Sequence, residues 1–285
     1  WGLDVPGEGG GAGAAEGAMT PLARLSVLGP TRVEAPGLDA PLRPRERAVL
    51  AAIALDHPEP VGPARIVELV WGDAAPATAR KSVHNHVARL RQAVPGLLES
   101  VGRGYRLAEG TVLDLDELAE PVRHDDEGVP PPGLEPLVGP QGGEPFADLD
   151  DHPDVVRRRR QVARLELEAL ALHARQLLDG GAADAAEAAE VARTLVERDP
   201  RSERHWWLLA VALARTGRRR EALELIGVVR SELVERGVDL GPDLARLERL
   251  IIAADPVVHT GAILSAPATA AVGDGRGAGP VGLTS

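Results

Sequence analysis

Thr78, Lys81, Ser82, Asn85, Arg89 and Gln92 fall on one side of a helix if the chain around them keeps a 3.6-residue period. No Asp or Glu occurs between Pro76 and Val94, whereas Arg80, Lys81, Arg89 and Arg91 all do. Cations of this kind hold phosphates, and Asn, Ser, His and Arg offer donors and acceptors to base edges. The plainer reading is a solvated helix face that happens to be basic. Downstream, Arg103 sits at the tip of Gly102-Arg103-Gly104, with Arg106 two residues beyond the second glycine. A hairpin there would set both arginines against a nucleic-acid backbone or in a minor groove.

The elements that must position these groups are legible on either side. Val83, Val87, Leu90 and Val94 recur at spacings of four, three and four, the apolar underside of the same helix. Val101 and Tyr105–Leu107 are β-type runs around a glycine-bearing turn. Gly62-Pro63 can open a helix with proline at its first position, Ile66, Leu69 and Val70 give it an inward face, and Gly72 stops it. Pro44–Asp56 reads as a further amphipathic helix, with Val49, Leu50 and Ile53 inward. Arg24–Gly29 and Arg32–Ala35 are short strands interrupted by Gly29-Pro30. Strands, two helices, a basic helix and a hairpin make an α+β winged helix-turn-helix with an N-terminal β-sheet.

These segments carry a family resemblance. VLGPTRV, PRERAVLAAIAL, RIVELVWG, ATARKSVHNHVARLRQAV and GRGYRL resemble the DNA-binding half of the Streptomyces antibiotic regulatory protein family, whose winged helix is of the OmpR/PhoB type. GGEPFADL, the RLELEAL helix, ERHWWLLAVALARTGRRREALELI and GVDLGPDLARLERLIIAAD resemble the bacterial transcriptional activator domain that follows it there. The resemblance runs in one order over about Leu22–Asp255. It departs at His86, where an aromatic is more usual, and at the Pro/Gly-rich stretch Pro121–Pro145, where a helix is common. It implies a sequence-specific, DNA-binding transcriptional regulator, an activator binding direct repeats near promoters and working with RNA polymerase. Partners implied are double-stranded DNA, RNA polymerase and self-association on DNA. The residues it matches as base readers are Lys81, Ser82, His84, Asn85 and Arg89, with Arg91, Arg103 and Arg106 on phosphate or groove. Arg80 stays open between two placements: the helical wheel sets it near the buried edge, while the first turn of the helix can leave it free.

Charge is divided along the chain. Across 285 residues, 32 Lys+Arg against 43 Asp+Glu give −11, yet residues 22–110 carry 12 basic and 9 acidic side chains, a net +3. Residues 111–255 carry 19 and 30, a net −11, so the acidic half suits a ligand, a partner or self-association rather than DNA. The absence of cysteine excludes disulfides and thiol chemistry and fits a reducing interior. With no long apolar run and no signal segment, the expectation is a soluble, cytoplasmic chain with no membrane partner. The expected division is an N-terminal extension over 1–21, with Met19 a candidate start, a DNA-binding domain over 22–110, a helical domain over 111–255, and a flexible tail or linker over 256–285.

The second half is expected to be an all-α tetratricopeptide-like domain. Helices are predicted over Val155–Leu178, Ala183–Arg198, Glu203–Thr216 (capped by Ser202), Arg218–Arg236 and Asp243–Ala253. Trp206, Leu209, Gly217 and Glu221-Ala222-Leu223 supply the local signature, and Trp206 reads as a core anchor. Trp207 reads equally as core or as a stacking surface. Arg157–Arg160 reads as a solvated face before a nucleic-acid patch. The one lysine, Lys81, lies outside any GxxxxGK[ST] setting, and no HExxH or GxSxG occurs. No catalytic residue, cofactor or metal site follows, and the chain is expected not to be an enzyme. From the residues alone a second class stays open, a protein-interaction scaffold that uses the helical array, with the winged domain turned to binding protein.

Overall fold

The computed structural model describes residues 22–38, 41–123, 143–180 and 182–264. The proposed N-terminal extension and most of Pro121–Pro145 lie outside the described residues. The chain divides into two compact units. One comprises the residues up to Asp114 together with Phe146–Val155, and the other Leu115–Pro145 with everything from Val156 onward.

The first unit is a winged helix-turn-helix. Strand β1 (Ala23–Ser26) pairs antiparallel with β2 (Arg32–Glu34) and, on its other side, parallel with β5 (Thr111–Leu113). Between them run α1 (Pro44–Leu55), α2 (Pro63–Trp71) and α3 (Ala79–Ala93), then the hairpin of β3 (Leu98–Val101) and β4 (Gly104–Leu107). Proline opens both α1 and α2, where its missing N–H is no loss. Gly72, with φ of +52°, closes α2. Val49, Ile53, Ile66, Leu69, Val83, Val87 and Leu90 are buried, so the three helices meet along the faces that periodicity assigns to them.

The unit is not the contiguous 22–110 expected from the sequence. Strand β5 lies beyond residue 110, and the segment from Phe146 to Val155 packs into the same core. Phe146 is fully buried, and its N–H donates to the Val27 carbonyl at 2.7 Å. The Asp148 carboxylate accepts from the Thr31 N–H at 2.7 Å and from Arg47 Nε at 2.8 Å. His152 Nε2 lies 3.1 Å from Glu68, and Arg65 pairs with Asp154. The Asp114 carboxylate accepts from the N–H groups of Val27 and Leu28 at 2.9–3.1 Å, closing the turn after β1. Buried backbone donors need such partners, and here residues more than 80 positions away supply them.

The second unit is helical. Helix α4 (Asp114–Arg123) is followed by α5 (Pro153–Gly180), α6 (Ala182–Arg198), α7 (Glu203–Arg215), α8 (Arg219–Glu235) and α9 (Pro242–Ala253). Alanines at 188, 189, 192, 210, 212 and 222 are buried, which lets α6, α7 and α8 approach closely. Trp206 and Trp207 are both partly buried against this core. Ser202 stands at the N-cap of α7, but its hydroxyl makes no cap bond; its carbonyl instead accepts from the His205 N–H at 3.0 Å.

Two expectations are corrected here. Residues 256–264 are not a flexible tail: Pro256–His259 and Gly261–Ile263 form 3₁₀ turns that bury Val258, Ile263 and Leu264 in the core. The Arg215 guanidinium holds them, donating to the carbonyls of Val258 (2.9 Å), Thr260 (2.6 Å) and Leu178. Arg157–Arg160 is not a uniform solvated face either, because Arg159 turns inward and donates to the Pro145 carbonyl at 2.9 Å.

Candidate nucleic-acid interface

Helix α3 carries the candidate residues, and its neighbours fix what each can do. Arg80, Lys81 and Asn85 are exposed and have no hydrogen bond or ion pair among the described residues. Arg80, for which the sequence allows either the buried edge or a free first turn, is exposed. The Ser82 hydroxyl donates back to the Thr78 carbonyl at 3.2 Å, so its oxygen lone pairs face outward. Arg89 is half exposed, with Nη1 3.9 Å from the buried carboxylate of Glu46, a long pair that a stronger acceptor can displace. Glu46 is itself engaged at the start of α1, where it accepts from the Arg43 N–H at 3.0 Å.

Three candidates are tied to protein. Arg91 Nε donates to the Leu98 carbonyl at 3.2 Å, its Nη2 donates to Ser100 Oγ at 2.8 Å, and its guanidinium lies 5.7 Å from the Tyr105 ring centre. It braces the wing against α3. Arg106 pairs across the hairpin with Glu99 at 2.9 and 3.0 Å, as the Glu99–Arg106 register requires. His84 Nδ1 lies 2.6 Å from the Tyr105 hydroxyl. His86, the departure from the usual aromatic, sits beside Trp71 with ring centres 6.4 Å apart, and burial pushes its pKa below the ordinary value.

The wing is seated by two glycines. Gly102 takes φ of +58° in the two-residue loop, which glycine adopts without strain, and exposes Arg103. At Gly104 a Cβ would meet the Val61 carbonyl oxygen at 3.1 Å. That closeness lets Val61 and Tyr105 exchange backbone hydrogen bonds at 2.7 and 2.9 Å, which adds Val61, two residues ahead of α2, to the wing. Between wing and helix lies an open cleft of about 480 Å³, walled by Arg80, His84, Arg103 and Tyr105 and by the start of α2 at Pro63-Ala64. Sequence reading missed Tyr105 and Glu46 as parts of this site. The glycine before Tyr105 was a signal for the first; nothing local pointed to the second.

Two family models match in order, "Transcriptional regulatory protein, C terminal" over residues 37–107 and "Bacterial transcriptional activator domain" over 141–252. Transcriptional regulator RedD of Streptomyces coelicolor is 30% identical over 256 residues, covering 82% of this chain and 71% of RedD. The chain belongs to the Streptomyces antibiotic regulatory protein family. Another relative in this family, Regulatory protein AfsR of S. coelicolor, is 32% identical over 247 residues, but the alignment takes in only 25% of its length. This chain thus spans about a quarter of that relative. The solved structure of Mycobacterium tuberculosis EmbR in complex with a low affinity phosphopeptide superposes with a TM-score of 0.63 at 24% identity, over 86% of this chain and 69% of that one, a likeness of fold. Among the described residues no helix is long and apolar enough to cross a membrane, and no His/Cys/Asp/Glu group has the makings of a metal site.

Proposed function

We propose that this chain binds double-stranded DNA sequence-specifically through α3 and the wing, and acts as a transcriptional activator that works with RNA polymerase. The first unit, residues 22–114 completed by 146–155, carries the DNA, and the acidic helical remainder up to residue 255 carries the contact to polymerase or to a second copy on direct repeats. The observation that supports this most is the acid-free outer face of α3. Arg80, Lys81 and Asn85 stand open beside the Arg103 tip, as a helix entering a major groove requires. Lys81, Ser82, Asn85 and Arg89 are assigned to base edges and Arg80 and Arg103 to phosphates. His84 is also assigned to DNA, whereas Arg91 and Arg106 support the wing unless DNA draws them away from Ser100 and Glu99. No catalytic role is assigned, and the chain is taken to act in the cytoplasm.

The test is selection from a randomised duplex pool by the full chain at near-physiological salt. Enrichment of a direct repeat with half-sites about one helical turn apart, ~10–10.5 base pairs, is the expected result. An unenriched pool would overturn the reading and move the search for partners to the helical half.

A further inference from the structure

Tyr105 does more than pack the wing. It is buried, yet its hydroxyl meets an exposed residue of the recognition helix, 2.6 Å from His84 Nδ1. Two arrangements satisfy that distance. Either the phenol donates to a bare Nδ1, or a protonated Nδ1 donates to the phenol oxygen. In the second, the phenol proton needs another acceptor, and the Tyr105 hydroxyl has no second protein partner among the described residues. The first arrangement satisfies both the phenol proton and the ring lone pair within the protein, without drawing on solvent from the cleft. A neutral imidazole whose Nδ1 accepts must carry its hydrogen on Nε2, since the bond made by one nitrogen sets the state of the other.

The surroundings hold this arrangement in place. Tyr105 is anchored by its backbone exchange with Val61, made possible by Gly104, and by Arg91 over its ring. His84 Nε2 has no partner among the described residues, and His84 lines the cleft with Arg80 and Arg103. We propose that Tyr105 is a positioning residue that fixes His84 as a hydrogen-bond donor, so that His84 recognises an acceptor on DNA and rejects a donor in the same place. This rests on the DNA-binding reading above. The acceptor is either a base-edge atom, such as purine N7, guanine O6 or thymine O4, or a phosphate oxygen. An exocyclic amino group of adenine or cytosine at that position would face N–H against N–H.

Two measurements on the full chain test it. Long-range proton–nitrogen correlation spectra at pH 8 should show His84 Nε2 protonated and Nδ1 bare, with the two forms mixing in Tyr105→Phe. A protonated Nδ1 in the wild type would overturn the inference whatever the DNA result. Binding is then measured on the selected duplex and on versions carrying 7-deazapurines (no N7), 2-aminopurine for guanine (no O6), 5-methyl-2-pyrimidinone for thymine (no O4) or neutral methylphosphonate linkages, one position at a time. Tyr105→Phe should weaken binding to the selected site by about 3- to 10-fold, the loss of one hydrogen bond's organisation. His84→Gln, whose amide both donates and accepts, should accept donor and acceptor bases more evenly at one position. If the partner is a base, the losses vanish on the duplex lacking that acceptor; if it is a phosphate, they vanish at one methylphosphonate and are equal across sequences. Unchanged affinity and preference in both variants, with thermal unfolding unaltered, would overturn the proposal. Wild-type protein that enriches no sequence would instead overturn the DNA-binding reading itself, while the spectra still report on the Tyr105 bond.

Discussion

Arg47 on α1 donates from Nε to Asp148 at 2.8 Å, joining residues 101 positions apart. Asp148 also accepts from the Thr31 N–H, so one carboxylate fastens both the turn after β1 and the first helix. Asp148→Ala should leave that N–H without its partner and cost about 1–3 kcal/mol. Arg47→Ala keeps the Thr31 bond and should cost less. Urea unfolding of the two variants checks the order, and equal midpoints for Asp148→Ala and wild type would remove the segment's structural role.

Phe146 carries the apolar share of the same attachment. It is among the largest fully buried side chains of the molecule. Phe146→Ala should destabilise the chain by about 3–5 kcal/mol. Calorimetry should place the loss in the unit that holds α1–α3; a loss confined to the helical half would contradict the packing described here.

For DNA, the expected effects separate by role. Arg89→Ala should cost about 1–3 kcal/mol at the selected site and little elsewhere if it reads a base once freed from Glu46. Arg103→Ala should weaken all sequences alike and make the log–log salt slope about 0.9 shallower, one phosphate's share. Titrations at several salt concentrations on selected and scrambled duplexes decide both, and interchanged behaviour would reverse the assignments.

The arrangement of α1, α2, α3 and the hairpin was legible because each is set by residues close in sequence. The Val83–Val94 spacing, the Gly-Pro opening of α2 and the glycines around Arg103 all act within one or two turns. What was not legible depends on distance. Three-residue β5 has no pattern of its own and exists because β1 offers it an edge. Asp148 and Phe146 lie in a segment whose sequence says nothing of its docking on α1 and β1. Of the nominated site residues, Arg80, Lys81, Asn85 and Arg103 have no protein partner among the described residues, while Arg91 and Arg106 have partners on the wing that spacing on a helix cannot reveal. The stretch 256–264 looked like linker because its composition is small and aliphatic, but Val258, Ile263 and Leu264 suffice to bury it.

Arg215 makes that last segment testable. Burial lowers its pKa, yet it remains a cation at any ordinary pH, and its three acceptors are backbone carbonyls. Arg215→Met keeps much of the aliphatic bulk and removes every donor. The expected outcome is faster proteolysis after Ala254, with α7 and α8 still protected from hydrogen exchange. Unchanged cleavage would show that apolar burial alone holds residues 256–264.

His205 should give the stability a pH dependence. It is buried, and desolvation depresses its pKa below the ordinary 6.5 despite the Asp199 carbonyl that accepts from its Nδ1 at 3.2 Å. The unfolded chain therefore takes up a proton first as pH falls, so stability is full above about 6.5, declines below it, and levels beneath the folded pKa. His86 pulls the same way in the other unit. His205→Gln should flatten the fall in urea midpoint between pH 7.5 and 5.5; an unchanged slope would assign it to other groups.

The return of Phe146–Val155 to the first unit also bears on how the protein is made. Synthesis runs from the N-terminus, and domains generally fold in that order as they emerge. Here the reader helix and its wing leave the ribosome well before the residues that close their core. The nascent unit must wait for Phe146 and Asp148 to arrive, so it can be completed only after the first turn of α5 has been translated and has cleared the ribosome. The winged fold is therefore finished by a segment made about thirty residues after its own last strand, so part of its core depends on chain that is synthesised late.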